Sequence, residues 1–93
     1  MSDKFIFVEK EHILKAGGVS EGVVLSLLIM KSNIKSGEIG YFECDWHEIA
    51  KDTFLTRRQI DRIVSKLEAK GLIEFRVKKH DGVPTRHFKM LVD

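Results

Sequence analysis

The stretch Thr56-Arg57-Arg58-Gln59-Ile60-Asp61-Arg62-Ile63-Val64-Ser65-Lys66-Leu67-Glu68-Ala69-Lys70-Gly71-Leu72-Ile73 decides the fold. Ile60, Ile63, Val64 and Leu67 recur at i, i+3, i+4 and i+7, the spacing of one buried helix face. Thr56 and Gln59 form a capping box, in which each side chain satisfies an amide at the helix start. Gly71 supplies the left-handed residue that ends the helix. The pattern then changes period. Leu72 to Lys78 alternates, with Ile73, Phe75 and Val77 on one face and Glu74, Arg76 and Lys78 on the other, as a half-buried strand does. Lys79 to Pro84 reads as a loop around the Asp81-Gly82 turn signal. Arg86 to Val92 alternates again, with Phe88, Met90 and Val92 inward.

Working back towards the N-terminus, Asp45-Trp46-His47-Glu48 is a second capping box and opens a helix that ends near Thr53. Trp46, Ile49 and Ala50 make its apolar face, and Phe54-Leu55 is a short apolar connector. Tyr41-Phe42-Glu43 is short and β-prone, and Ser36 to Gly40 is a loop. From Ser20, as N-cap, a helix is expected over about Glu21 to Asn33. Its apolar residues Val23, Val24, Leu25, Leu27, Leu28, Ile29 and Met30 cover nearly the whole circumference. Such a helix must be enclosed, either by other helices or by a second subunit. Glu9 to Ala16 forms a short helix with Ile13 and Leu14 inward, stopped by Gly17-Gly18. Phe5-Ile6-Phe7-Val8 suits a short strand or an arm laid on the core.

At 93 residues the chain has room for one domain, which excludes large cofactor-binding folds. Hydrophobic residues make up 43%, enough for a core. The longest near-continuous apolar run, Val23 to Met30, is too short to span a membrane. No secretory signal is read at the N-terminus. A single cysteine, Cys44, forms no internal disulfide, so a cytoplasmic setting is expected.

The formal charge of +2 hides an asymmetry. Residues 1–50 carry five lysines and eight carboxylates, a net of −3. Residues 51–93 carry eleven Lys and Arg against six carboxylates, a net of +5. A local basic patch matters more for polyanion binding than the total does.

Two capped helices joined by about three residues make a helix-turn-helix, and the hairpin that follows makes it winged. The runs His47-Glu48-Ile49-Ala50, Leu55-Thr56-Arg57-Arg58-Gln59-Ile60 and Leu67-Glu68-Ala69-Lys70-Gly71-Leu72-Ile73 resemble winged-helix DNA-binding domains. That resemblance covers about residues 46–92. Over the whole chain the layout is similar to the winged-helix domain of phage replisome organisers and DnaD-like primosome proteins, and phage and plasmid transcription regulators share it. The resemblance implies an α+β winged helix-turn-helix of three to four helices plus a C-terminal hairpin wing. The single domain, 1–93, would divide into an arm and short helix at 1–18, the apolar helix at 20–34, the helix-turn-helix at 45–70 and the wing at 72–92.

The residues themselves suit double-stranded DNA. Opposite the buried face of the 57–69 helix stand Arg58, Arg62, Ser65 and Ala69, flanked by Lys66 and Asp61. Arginines near a recognition helix N-terminus can read guanine edges in the major groove. Ser65 is short enough not to block that approach. The helix N-terminus at Thr56 can meet a phosphate. Lys51 and Arg57 lie at the edge of the helix-turn-helix. Arg76, Lys78, Lys79, His80 and Arg86 would track phosphates or enter a minor groove from the wing.

Other chemistries find less footing. Cys44-Asp45-Trp46-His47 has a Cys-x-x-His spacing, but His12, His80 and His87 are scattered and zinc takes four ligands. Cys44 reads better as a small hydrophobe. No Gly-rich phosphate loop is present. No catalytic residue, metal or cofactor is expected. The expected role is DNA binding in replication initiation or transcription regulation, in a phage, plasmid or bacterial setting. The expected state is a homodimer paired through the apolar helix or the N-terminal arm, with a replication or transcription protein as a further partner. The alternative is a protein–protein adaptor that keeps the scaffold without binding DNA.

Overall fold

The computed structural model describes residues 7–35 and 40–92, with the side chains of Lys35 and His80 outside the description. Among these residues the order is α1 (Lys10–Ala16), α2 (Val19–Lys35), β1 (Tyr41–Glu43), α3 (Trp46–Thr53), α4 (Arg57–Ala69), β2 (Ile73–His80) and β3 (Val83–Met90). The class is α+β, with four helices and one antiparallel sheet.

The centre is α2. Val24, Leu25, Leu27 and Leu28 are fully buried, and α1, α3, α4, β1 and β3 all pack against the helix. Val23, Ile29 and Met30 are half-buried, so most of the apolar middle of the helix is covered within the chain, while Val19 and Ile34 at its ends are exposed. Two expectations about its start are corrected. The helix begins at Val19, so Ser20 lies inside it and is not its cap. The Glu21 carboxylate instead folds back against Gly18. At the other end the helix runs on to Lys35.

The chain reverses into α2 through Gly17, at φ 85°, whose amide closes α1 on the Ile13 carbonyl. The two helix axes differ by 115°. They touch at Gly22, where a Cβ would lie 2.7 Å from Ile13 Cα. That crossing sets which face of α1 is inward. His12 and Ala16 are buried, Ile13 is half-buried, and Leu14, expected inward, is 75% exposed. His12 Nδ1 lies 2.8 Å from Ser26 Oγ across the same crossing. Phe5 and Ile6 of the expected arm lie outside the described residues. Phe7 and Val8 are exposed and in no strand, which corrects the expectation of a packed segment there.

The sheet has the order β1-β3-β2. Phe88 of β3 stands opposite Phe42 on one side and Phe75 on the other, with ring centroids 6.0 Å apart in each case. This aromatic row joins the core with Ile73 and Leu72, where α2 packs on β1 and β3 and α4 packs on β2. The hairpin turn is tighter than expected. His80 pairs with Val83, so only Asp81 and Gly82 lie between the strands, at φ 51° and 81°. Two positive φ values mark the turn whose twist matches the flanking strands. Val77 keeps its side of the alternation but is 55% exposed, on the open groove that the hairpin shares with Trp46 and Arg57.

Candidate nucleic-acid interface

Helix α3 starts where Asp45 Oδ1 accepts the Trp46 amide at 2.7 Å. Asp45 Oδ2 also lies 2.9 Å from His47 Nδ1, and this bond is the main reason the Asp45 carboxyl is held below its ordinary value. At the far end Thr53 Oγ1 donates to the Ile49 carbonyl and accepts the Leu55 amide, bracing the turn into α4.

Helix α4 opens on the expected capping box. Thr56 Oγ1 accepts the Gln59 amide at 3.2 Å, and Gln59 Oε1 accepts the Thr56 amide at 2.9 Å. Ile60, Ile63, Val64 and Leu67 are buried. The helix ends as its sequence predicts: Gly71 N–H reaches Glu68 O and Leu72 N–H reaches Leu67 O, with Gly71 at φ 74°. Burial of that stripe leaves Arg58, Arg62, Ser65 and Ala69 exposed on the opposite side.

The cations divide into those with an internal partner and those without. Arg57 lies with its guanidinium 5.4 Å from the Trp46 ring centroid and its Nε 3.9 Å from Asp61 Oδ2. Arg86 Nη2 lies 2.6 Å from Asp61 Oδ1, an ion pair without the alignment of a hydrogen bond, and the guanidinium sits over Phe75. Asp61 thus serves two arginines, one from α4 and one from β3. Lys66 reaches Glu21 at 3.4 Å. The Glu21 carboxyl is held below its ordinary value, first by its own backbone amide and then by Lys66, with Arg62 adding to the field. Arg76 stacks 3.9 Å from the Tyr41 ring centroid, while Tyr41 Oη donates to Glu74. Arg58, Lys78 and Lys79 are exposed and make no ion pair among the described residues.

The expected site residues are therefore not one cluster. Arg58, Arg62 and Ser65 share the outer face of α4. Arg57 and Arg86 meet across a groove of about 350 Å³ between the starts of α3 and α4 and the hairpin, walled by Trp46, Val77 and Pro84. Arg76 and Lys78 project from the opposite sheet face, the side away from Ile73 and Phe75. The side chain of His80 lies outside the description. Two features escape the sequence pattern. Asp61 as a shared counterion was half visible, since Arg57 and Asp61 are four apart on a helix. Its contact with Arg86 has no local signal. Phe54, part of the short apolar connector, is 93% exposed, which nothing in its sequence neighbours signals.

Cys44 is fully buried and packs in the core. Its neighbour in the Cys-x-x-His spacing, His47, stacks on Trp46 at 3.9 Å. No single helix among the described residues is long and apolar enough to cross a membrane. Comparison with protein-family models finds no match, and comparisons with curated proteins and with solved structures find none either.

Proposed function

We propose that this chain is a winged-helix protein that binds double-stranded DNA through the outer face of α4. The observation that carries the reading is the exposed Arg58–Arg62 pair beside carboxylates that are already engaged. Asp61 is held by Arg57 and Arg86, and Glu21 by Lys66, so the outer face offers arginine donors with little internal competition. The α3–turn–α4 sequence followed directly by a projecting hairpin supports the winged-helix layout. In that layout the first turns of α4 enter the major groove, and Arg58 and Arg62 read base edges. Lys78 and Lys79, near the hairpin tip, hold phosphates. Service in replication initiation or transcription regulation, in phage, plasmid or bacterial cytoplasm, rests on the sequence resemblance alone.

The test is a titration of labelled duplex DNA at several salt concentrations. A logarithmic salt slope of about −0.9 per neutralised phosphate is expected. A slope near zero, or unchanged affinity in the Arg58→Ala/Arg62→Ala variant, sinks the reading. A second reading, a protein–protein adaptor, draws on exposed Phe7, Leu14, Val19 and Ile34. It predicts no DNA binding at physiological salt and a partner that is lost when these residues are made polar.

A further inference from the structure

Phe54 occupies the turn between α3 and α4 under two unusual conditions. Its side chain is 93% exposed, and its backbone sits at φ 61°, in the left-handed region. Glycine is the ordinary occupant of such a position, because a side chain there crowds the backbone. A bulky aromatic in it is an outlier. The conformation is held firmly: the Phe54 amide donates to the Ala50 carbonyl at 2.7 Å, and Thr53 brackets the turn with two more bonds. The fold therefore bears both backbone strain and apolar exposure at one residue, and gains no core contact from the ring.

The charges around the turn say what kind of surface the ring faces. Asp52, the nearest carboxylate in the chain, is turned away into a half-buried ion pair with Lys31 of α2 at 3.5 Å. Lys51 and Arg58 on either side are exposed and make no ion pair among the described residues. An exposed ring flanked in sequence by two unpaired cations suits a partner that carries phosphates together with apolar sugar and thymine-methyl surface, as a DNA duplex does.

We infer that Phe54 is a DNA-contacting residue, its ring laid against the nucleotides beside the segment that α4 reads. This rests on the DNA-binding reading above and adds an apolar contact to it. Such a contact is non-ionic, so it changes affinity without changing the salt slope, whereas loss of a phosphate-bound lysine changes both. It also opposes stability: removing the ring relieves the left-handed strain.

The experiment uses Phe54→Gly and Phe54→Trp with the same labelled duplex. Phe54→Gly is expected to raise the urea midpoint, to bind DNA about ten-fold more weakly, as loss of a buried phenyl contact does, and to keep the wild-type salt slope. Phe54→Trp is expected to keep the affinity, with indole emission quenched by DNA beyond the change that Trp46 alone gives in the wild type. Unchanged affinity in Phe54→Gly, or an unquenched Trp at this position, overturns the inference while leaving the DNA reading standing. Loss of self-association with unchanged DNA affinity also overturns it, by assigning the ring to a second copy of the chain. A wild-type protein without salt-dependent DNA binding removes the DNA reading itself, and this inference falls with it.

Discussion

Five arginines and lysines of the sequence-predicted site differ less in charge than in what already holds them. Arg57 and Arg86 share Asp61, while Arg58, Lys78 and Lys79 hold no carboxylate among the described residues. Binding through Arg57 or Arg86 must compete with that pairing, so the unpaired residues carry the first predictions. Arg58→Ala should relax specificity at one base pair by about 1–3 kcal/mol. Site selection from random DNA with wild type and variant measures this. Lys78→Ala and Lys79→Ala should weaken binding evenly across sequences and lower the salt slope by about 1 each. Asp61→Asn tests the competition from the other side. It leaves Arg57 and Arg86 without their counterion, so non-specific DNA affinity should rise and the salt slope steepen. Stability should fall by no more than about 1 kcal/mol, since Asp61 is 42% exposed and surface pairs are weak. Filter binding on mixed-sequence DNA and urea unfolding of the same variant give both numbers.

The elements differ in how far local chemistry determines them. Helix α4 was legible because capping box, apolar period and terminal glycine agree, and each is a short-range signal. The start of α2 was not legible. Ser20 is a good cap residue, but the chain becomes helical two residues earlier, at Val19, where Gly18 gives Glu21 room to fold back. The inward face of α1 was misread at Leu14 because a seven-residue helix takes its orientation from what it crosses, here Gly22. That crossing yields a prediction. Alanine at position 22 gains up to about 1 kcal/mol of helix propensity. Its Cβ would stand 2.7 Å from Ile13 Cα, and overpacking of this kind costs about 1–3 kcal/mol. Gly22→Ala should therefore lower the urea midpoint despite better propensity. Acid should weaken α3 and α2 starts together. The Asp45 and Glu21 carboxyls are both held below their ordinary values of 3.8 and 4.5, so each contributes stability above the unfolded pKa. That contribution is lost as pH falls through the folded pKa. Urea midpoints should decline below about pH 4, and Asp45→Asn should flatten part of the decline.

For the whole molecule, the charge asymmetry and the apolar helix pose one question: whether the −3 half joins two copies. Enclosure of α2 by α1, α3, α4 and the sheet removes its buried face from the choice of subunit surface. Among the described residues of the acidic half, Leu14 at 75% and Val19 at 67% are exposed on either side of the Gly17-Gly18 turn, with Phe7, Val8 and Ile34 beyond. A homodimer that pairs the acidic half would use Leu14 and Val19, a surface beside the end of α4 where Lys66 reaches Glu21, with the Arg58 side of α4 left for a DNA half-site on each subunit. Two half-sites related by a two-fold axis would then be read as a palindrome, with spacing set by the protein. The double variant Leu14→Gln/Val19→Glu separates assembly from reading. Glu suits the first turn of α2, where negative charge is favourable, so folding should be retained. Sedimentation should give twice the protomer mass for the wild type and the protomer mass for the variant. Selected DNA should change from a palindrome to a single half-site, with the base preferences of Arg58 and Arg62 unchanged. A wild type that sediments as a protomer, or a variant that still selects palindromes, rules out this surface as the subunit contact.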